Sequence, residues 1–340
     1  MGAVATPGPV VVTGAAGFLG RHIVQAARAK GLPVLAVVRQ NTRAEWQADP
    51  AITVLAVDLA DAAAADRLAP HLAGASAIIH AAGPVTSDPA RLARDGIAAT
   101  VNILAAMEGV KAKPRFVLVS SLALYDVRNI PQGAVLTEET PVQAGDEASY
   151  AQTKLAQEKL VAKAADRLGL PVFILRPGVL FGAGHLRNGH LGVQLGMLLI
   201  RIGAEGLLPL CHVENCAEAV VIAALKPFDQ GFARIETLNL VDSDLPTRKQ
   251  YVGAIRKAGW PRLVLPVPWG LWKFLAASLA ILPGTRSRLP GLMQPQAMRF
   301  RLMPMRWSND RARARLGWVP HFGFDQAMAD CLGENQDAGR

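Results

Sequence analysis

Residues 10–20 read Val-Val-Val-Thr-Gly-Ala-Ala-Gly-Phe-Leu-Gly, a β-branched run followed by three glycines at intervals of three. The run predicts a buried strand, and the residues after it predict a helix over 18–30. Gly14 permits a tight turn, Gly17 lets a pyrophosphate approach the backbone, and Gly20 lets the helix pack close to the strand. The free amides and positive end of that helix would hold the anion. The stretch therefore predicts a dinucleotide-binding strand–turn–helix.

Short apolar runs and Ala-rich helical stretches alternate through the first half of the chain. The runs predict strands over 34–38, 53–57, 77–80, 116–120 and 172–175, with helices notably over 91–107 and 150–168. Such alternation gives an α/β fold with a doubly wound parallel sheet, because right-handed crossovers place helices on both faces.

The order of elements also predicts how the chain is divided. We expect a Rossmann domain over residues 8–176. Gly and Pro become frequent after Pro177, which predicts a smaller C-terminal substrate lobe over 177–335. Residues 212–242 should return to the Rossmann side.

The composition is that of a globular protein, with 51% hydrophobic and 19% charged residues. Cys211, Cys216 and Cys331 form neither a disulfide framework nor a metal-binding spacing, so we expect a cytoplasmic setting and no metal site. Residues 269–282 form an apolar stretch that is too short to span a bilayer. A buried or substrate-covering helix is expected there, with peripheral membrane contact as the alternative.

The net charge of +9 is unevenly distributed. Residues 1–176 carry 17 basic and 15 acidic side chains, whereas residues 177–340 carry 19 and 12. Residues 286–315 contain eight arginines and a single acidic residue, Asp310. Arginine binds phosphate and carboxylate through two parallel hydrogen bonds, so an anionic small-molecule substrate is one interpretation and a solvated basic face is the other. No aromatic residues interleave with the charge in a nucleic-acid motif, and no nucleic-acid partner is expected.

The end of the second predicted strand should select the cofactor. The residues there are Arg39-Gln40-Asn41-Thr42-Arg43, where an acid would bond the ribose hydroxyls of NAD. Arg39, together with Arg43, would neutralise a 2′-phosphate, so NADP is favoured over NAD. The alternative is a surface arginine beside a ribose that Gln40 or Asn41 holds.

Tyr150 and Lys154 are four residues apart and share one face of a predicted helix. A phenol has a reference pKa of about 10 and is a poor base at neutral pH. A nearby ammonium group, together with an oxidised nicotinamide, would lower that pKa and let Tyr150 exchange a proton with a substrate oxygen during hydride transfer. Ser121, with Ser120 as the alternative, would bond the same oxygen.

These motifs together resemble the extended short-chain dehydrogenases/reductases, which include nucleotide-sugar epimerases and dehydratases, dihydroflavonol-type reductases and 3β-hydroxysteroid dehydrogenases. The resemblance rests on residues 13–20, Asp58-Leu59, residues 80–83, Ser120-Ser121, Tyr150 with Lys154, Arg176-Pro177, residues 212–215 and residues 316–320. It therefore spans nearly the whole chain, and it implies a homodimer built on the helices over 91–107 and 150–168.

The resemblance also implies roles for individual residues. It implies a catalytic set of Ser121, Tyr150 and Lys154, with Lys154 bonding the nicotinamide ribose. It implies cofactor contacts from Gly14, Gly17, Phe18, Leu19, Gly20, Arg39, Asp58, Leu59, Ala81, Ala82, Lys154 and Pro177. It implies substrate contacts from Ser121, Asn102, Gly178, His185 and Arg187. His80 would be positioned by its backbone beside the cofactor and would not act as a base.

The residues after Ser121 narrow the reaction. The family's 4,6-dehydratases carry an Asp-Glu pair beside the hydroxyl residue, and this chain has Leu122 and Ala123. We therefore expect epimerisation, oxidation or reduction at a secondary hydroxyl or ketone carbon. The arginines favour a sugar nucleotide as substrate.

Two alternatives to a sugar-nucleotide enzyme stay open. A hydrophobic alcohol or ketone is favoured by the sequence His212-Val-Glu-Asn, which resembles the steroid dehydrogenase branch, and by Trp269, Trp272 and Phe274, which could cover an apolar substrate. The other alternative is a non-catalytic NADP-binding sensor. The retained Tyr150–Lys154 pair disfavours it.

Overall fold

A computed structural model of the chain describes residues 8–40, 44–111, 113–143, 149–228, 231–281 and 291–337. The strands in these residues are β1 (Val10–Thr13), β2 (Val34–Val38), β3 (Ile52–Ala56), β4 (Ala77–His80), β5 (Arg115–Val119), β6 (Val135–Leu136), β7 (Val172–Pro177), β8 (Val179–Phe181), β9 (Gly192–Leu195), β10 (Leu198–Ile202), β11 (Leu210–His212), β12 (Ile235–Leu240), β13 (Leu263–Val267) and β14 (Arg306–Trp307). The helices are α1 (Phe18–Ala29), α2 (Ala44–Gln47), α3 (Ala64–Leu72), α4 (Pro89–Arg91), α5 (Ala99–Ala106), α6 (Tyr150–Leu168), α7 (Val213–Leu225), α8 (Arg248–Ile255), α9 (Trp269–Ile281), α10 (Pro295–Leu302), α11 (Asp310–Leu316) and α12 (Phe324–Asp337).

A seven-stranded sheet in the order β12-β7-β5-β4-β1-β2-β3 forms the centre of the molecule, and its neighbouring strands are all parallel. The prediction of a doubly wound parallel sheet is therefore confirmed. β1 and β4 are buried along their whole length, because helices cover both faces. The chain runs from β1 outward to β2 and β3, and then returns past β1 to β4. This reversal opens a crevice at the carboxyl ends of β1 and β4, where ligands bind in such sheets.

Two apolar layers hold the helices on the sheet. On one face, α1 packs against α7 through buried side chains such as Ile23, Val24 and Val220. On the other face, α3, α5 and α6 pack through side chains such as Leu68 and Ile103. Because α7 and β12 belong to these layers, the chain after Pro177 returns to the central sheet over part of its length.

Helix α6 begins and ends where local chemistry favours it. The Ser149 hydroxyl accepts a hydrogen bond from the Gln152 amide at the N-terminus, and Gly169 takes a left-handed conformation (φ 68°) at the C-terminus. The helix therefore spans residues 150–168, as the sequence predicts, and holds Tyr150 in its first turn.

The chain is helical over nearly all of the stretch predicted at 91–107, but the helix is not uniformly an α-helix. The chain there forms α4, a π-helical segment over Leu92–Ala98, and then α5. Gly96 lies in the π-helical segment where an added Cβ would come within 2.6 Å of Thr153 Cγ2 on α6. The Gln157 side chain on α6 donates to the Gly96 carbonyl at 3.3 Å and to Thr100 Oγ1 at 2.7 Å. The backbone of the π-helical segment therefore packs directly against α6, the helix that carries Tyr150.

The C-terminal part of the chain forms a second apolar cluster around Leu191, Leu208, Tyr251 and Met328. A small sheet in the order β13-β10-β9 lies beside it, with α9 packed on one face through Trp272 and Ala276. Among the described helices, none combines the length and hydropathy that crossing a bilayer requires.

Candidate active site

The glycine turn between β1 and α1 has little space for side chains. Gly14 has φ 66°, and a Cβ there would lie 2.9 Å from the backbone of Ala82, which follows β4. A Cβ on Gly20 would lie 2.0 Å from the Gly14 carbonyl oxygen. Gly17 is the N-cap of α1 and offers no side chain to its first amides, and the first turn contains no acid. The turn is therefore a backbone cradle at a positive helix end, which fits the pyrophosphate of a dinucleotide.

Charged side chains group at the ends of β2 and β3, beside this cradle. Arg39, whose side chain is 61% exposed, lies 3.4 Å from the Asp95 carboxylate. Asp58 pairs with Arg94 at 2.5 Å. Burial is the largest single effect and raises the pKa of Asp58, but the hydrogen bonds from Arg94 and the Ala60 amide, together with the charges of Arg94 and Arg39, lower it overall, so the carboxylate stays ionised. The contribution predicted for Arg43 lies outside the described residues.

The structure brings Ser121, Tyr150 and Lys154 together at the carboxyl end of β5. The Ser121 hydroxyl accepts from the Ala123 amide at 3.2 Å and lies close enough to the Tyr150 phenol to favour its ionised form. Lys154 Nζ lies 6.0 Å from the centre of the Tyr150 ring and donates to the Val119 carbonyl at 2.9 Å. The same ammonium lies 3.3 Å from the position a Cβ on Gly83 would take. The pair thus faces the crevice beside the glycine cradle.

The protein alone raises the pKa of Tyr150, and Lys154 is not among the groups that lower it. The expected lowering by Lys154 together with oxidised nicotinamide stays a prediction. Burial raises the pKa of Tyr150, and the hydrogen bond from Ser121 opposes that effect only in part. The Lys154 ammonium is turned toward the Val119 carbonyl, which weakens its influence on the phenol. Burial also lowers the pKa of Lys154 to about 8, against the raising effect of Glu158. At neutral pH, Tyr150 is therefore a protonated phenol beside a mostly charged ammonium group.

His80 lies at the end of β4 with both ring nitrogens bonded. Thr13 Oγ1 lies 2.8 Å from Nδ1, and Thr100 Oγ1 lies 3.0 Å from Nε2. Thr100 donates its own proton to the Gly96 carbonyl, so Nε2 carries the imidazole proton and Nδ1 accepts from Thr13. Burial lowers the pKa of His80 to about 3. The neutral ring ties β1 to β4 and the π-helical segment, a structural role.

A buried polar network behind the pair was not predicted from the sequence. Ser120 donates to Glu158 Oε1 at 2.5 Å, so this serine points away from Tyr150. Arg176 forms two bonds to the same carboxylate, of 2.9 and 2.6 Å, and donates to the Tyr125 hydroxyl at 3.0 Å. Both charged side chains are only 8% exposed. Glu158 lies four residues after Lys154, which is the one signal that could have placed it beside the site.

The loop over residues 182–188 closes over the start of α1. The His185 ring stacks on Phe18 with centroids 3.8 Å apart, and a Cβ on Gly182 would lie 3.0 Å from the Phe18 ring. Arg187 stacks over Trp260 at 4.4 Å. Leu19 is buried on α1 beneath this loop. His185 therefore lies beside the predicted cofactor site, whereas the guanidinium of Arg187 contacts the second lobe.

Three other predicted residues have clear local surroundings. Pro177 ends β7 and is buried. A Cβ on Gly178 would lie 2.1 Å from the Pro209 carbonyl oxygen, so this position allows β8 to approach the segment before β11. Asn102 donates to the backbone carbonyls of Leu59 and Asp61 at 2.9 and 3.0 Å. Its amide thus fixes the loop after β3 and is not brought together with Tyr150, contrary to the expected substrate contact.

Four described arginines of the basic run, Arg299, Arg306, Arg311 and Arg315, are bonded to protein atoms. Arg299 donates to the backbone carbonyls of Val127, at 2.9 Å, and of Ile130. Arg311 and Arg315 pair with glutamates. Arg286 and Arg288 lie outside the described residues. The four described side chains therefore bind other protein groups, whereas the sequence suggested that they bind an anionic substrate.

The glycine cradle, the switch point and the Tyr150–Lys154 pair define a Rossmann-type oxidoreductase of the extended short-chain dehydrogenase/reductase class. The profile of the NAD dependent epimerase/dehydratase family matches residues 10–235, and the chain belongs to that family.

Two curated relatives resemble the chain in sequence, and one solved structure shares its fold. Ceramide reductase of Caulobacter vibrioides is 31% identical over 277 residues, which cover 77% of this chain and 74% of the relative. The 4-hydroxy-2-methyl-3-oxo-4-farnesyl-3,4-dihydroquinoline-1-oxide ketoreductase of Stigmatella aurantiaca is 30% identical over 347 residues, covering 97% of each chain. The UDP-glucose 4-epimerase of Thermus thermophilus in complex with NAD shares the fold, with a TM-score of 0.69, 20% identity and coverage of 97% and 99%.

Proposed function

We propose that this NAD(P)-dependent oxidoreductase reduces a ketone of an apolar small molecule to a secondary alcohol, with Tyr150 as the proton donor. The observation that carries the proposal is the half-buried phenol of Tyr150, which lies beside Ser121 with the Lys154 ammonium 6.0 Å from its ring centre, and whose raised pKa keeps it protonated at neutral pH. A protonated phenol is a general acid, and a carbonyl oxygen that gains a hydride on its carbon needs a proton.

Ser121, Tyr150 and Lys154 have separate roles at the substrate carbonyl group. Bound nicotinamide cofactor supplies hydride to the carbonyl carbon. The Ser121 hydroxyl and the Tyr150 phenol hold the carbonyl oxygen, and Tyr150 transfers its proton to that oxygen as the C=O bond becomes C–O–H. The phenolate left behind is stabilised by the hydroxyl of Ser121 and the ammonium of Lys154. Lys154 keeps its charge at neutral pH with the help of Glu158.

The apolar substrate class has two supports. Ceramide and the farnesylated quinoline named for two relatives are both apolar molecules. In addition, Arg187 and Arg299, which a sugar nucleotide would need for its diphosphate, contact a tryptophan ring and backbone carbonyls. We therefore place the apolar ketone ahead of the sugar nucleotide that the net charge favours.

NADP is the proposed form of the cofactor. Arg39 is exposed directly after β2, where a 2′-phosphate would lie, and the residue itself is not an acid. Its contact with Asp95 at 3.4 Å is long for an ion pair, so a phosphate can replace that partner.

The test is turnover of defined substrates with NADPH. Long-chain aliphatic ketones and polycyclic ketones are compared with UDP- and dTDP-hexoses, following NADPH absorbance and identifying products by mass spectrometry. Deuterium on the transferred position of NADPH should appear on the carbinol carbon of an apolar product. Inversion of a nucleotide sugar without net NADPH consumption, and no ketone reduction, would overturn the proposal in favour of an epimerase.

A matched pair of variants assigns the chemistry. Tyr150→Phe should lower ketone reduction by about 10²–10⁴-fold, whereas Tyr251→Phe should retain it, because the Tyr251 hydroxyl bonds the Leu186 carbonyl in the second lobe. Equal turnover by the two variants would remove Tyr150 from the mechanism. Cofactor binding without turnover of any substrate by the parent would favour a sensor.

A further inference from the structure

One face of the small β13-β10-β9 sheet is apolar along its whole length. The strand register places Leu195, Leu198 and Leu263 side by side at one end, and Ile202 beside Val267 at the other. Side chains two residues apart share a face, so these residues lie on the same side of the sheet. Helix α9 covers only one end of this face, where Trp272 and Ala276 pack against Ile202, Ile200 and Val267.

The uncovered end and the outer surface of α9 expose large apolar side chains. On the sheet, Leu195, Leu263 and Leu265 are 56%, 66% and 52% exposed. On α9, Leu271, Phe274 and Leu275 are 49%, 66% and 41% exposed, and their spacing places them on one helix face. We call these six residues the apolar surface. They make up six of the thirteen large apolar side chains that are exposed in the described part of the chain, so they form a concentrated patch.

The expectation that Phe274 covers the substrate does not fit this geometry. Its ring is turned to solvent, and it is Trp272 and Ala276 that pack inward on α9. The helix therefore presents its apolar residues away from the protein, which a purely substrate-covering helix would not do.

The stretch of chain that carries β13 and α9 has charge of one sign. Residues 245–309 contain eleven lysines and arginines and no aspartate or glutamate. Arg256, Lys257, Arg262 and Lys273 are exposed there. Arg262 directly precedes Leu263 and donates its amide to the Met197 carbonyl at 3.0 Å, at the exposed end of the sheet. None of the ion pairs found among the described residues involves these four cations.

We propose that the apolar surface docks on an anionic lipid bilayer. Exposed leucine and phenylalanine side chains would enter the boundary between headgroups and acyl chains, and the unpaired cations around them would contact lipid phosphates. An interfacial helix of this kind lies on a membrane and does not cross it. The charge complementarity favours an anionic bilayer over a second copy of the chain, because two copies would bring cations against cations. The inference stands on this surface and does not depend on the proposed reaction.

Vesicle flotation tests the proposal. The full chain is mixed with vesicles of phosphatidylcholine alone or of equal phosphatidylcholine and phosphatidylglycerol, and the bound fraction is measured. The protein should bind the mixed vesicles, and added salt should weaken binding. Arg262→Glu should reduce affinity by at least about fivefold, from the attraction that one cation contributes near an anionic surface.

The double variant Leu265→Glu/Leu275→Glu should lose binding by more than about tenfold, because it removes apolar contact and adds repelled charge. Val319→Glu is the matched control, since Val319 is 62% exposed outside the apolar surface, and it should bind as the parent does. NADPH binding measured on every variant establishes that each is folded. Absence of parent binding to mixed vesicles, or equal binding to neutral ones, overturns the proposal. A parent dimer that the double variant dissociates, without vesicle binding, assigns the surface to a second copy instead.

Discussion

The substitution Glu158→Gln tests how much the buried network behind the active site contributes to stability. The change keeps the size of the side chain and removes its charge. In the parent protein, Arg176 donates to both carboxylate oxygens of Glu158, at 2.9 and 2.6 Å. A carboxamide offers one acceptor oxygen and one NH₂ group, so at least one of these bonds is lost and the guanidinium charge is left without its partner.

The magnitude follows from burial. Removing one partner of a buried ion pair costs about 3–5 kcal/mol, because the other charge stays desolvated. Both partners here are 8% exposed. The control is Glu108→Gln. Glu108 forms an ion pair of 2.7 Å with Arg167 on α6, and the side chains of Glu108 and Arg167 are 50% and 57% exposed. An exposed pair of this kind contributes about 0–1 kcal/mol.

Urea unfolding of the two variants and the parent at pH 7 measures the difference as a shift of the unfolding midpoint. Glu158→Gln should move the midpoint several times further than Glu108→Gln does. Equal shifts would refute the reasoning, since they would mean that the Arg176 charge is accommodated without Glu158.

Three further predictions concern chemistry, cofactor choice and acid stability. Tyr150→Phe should lower turnover by about 10²–10⁴-fold with unchanged NADPH affinity, because it removes only the proton donor. Steady-state rates measure the turnover, and fluorescence titration measures the NADPH affinity. Turnover at the parent rate would contradict the prediction. Arg39→Ala should weaken NADPH by about 1.5–3 kcal/mol and NADH much less, measured by titration with both, and equal losses would remove the preference. Lowering the pH from 7 to 5 should reduce the free energy of unfolding by about 3 kcal/mol, because the unfolded chain takes up protons below about 6.5 while His80, His190 and His212, with folded-state pKa values of about 3, 3 and 4, stay neutral. Each of these histidines contributes about 2 kcal/mol to the loss, and Asp242 offsets about 2 kcal/mol of it. Asp242, with a raised pKa of about 7, opposes this by binding its proton in the folded state, and a midpoint that rises on acidification would show that it dominates.

The central sheet could be predicted from the sequence because parallel strands covered on both faces must be continuously apolar. β1, with its three valines and a threonine, and β4 are such runs, and both lie where the pattern places them. The glycine turn could also be predicted from the sequence, because the positive φ at Gly14 is a conformation that favours glycine.

Other features depend on contacts that no local pattern contains. The π-helical segment keeps the apolar spacing of an ordinary helix, and only the approach of Thr153 to Gly96 distinguishes it. The pairing of Glu158 with Arg176 requires the end of β7 to lie beside α6, which follows from the strand order. The upward pKa shift at Tyr150 comes from desolvation of its phenol by the surrounding fold, which the local sequence does not contain. The roles of the predicted site residues stay predictions until they are tested by substitution.

The uncapped start of α1 couples ligand binding to the folding equilibrium. Gly17 satisfies none of the first amides with a side chain, so a bound anion completes the hydrogen bonding of the helix. A dinucleotide there binds the folded chain and not the unfolded one, and at a hundred times its dissociation constant it adds about 2.7 kcal/mol to the free energy of unfolding. The cofactor is thus also a structural component of the first domain, and the lifetime of the protein against proteolysis depends on the cofactor concentration around it.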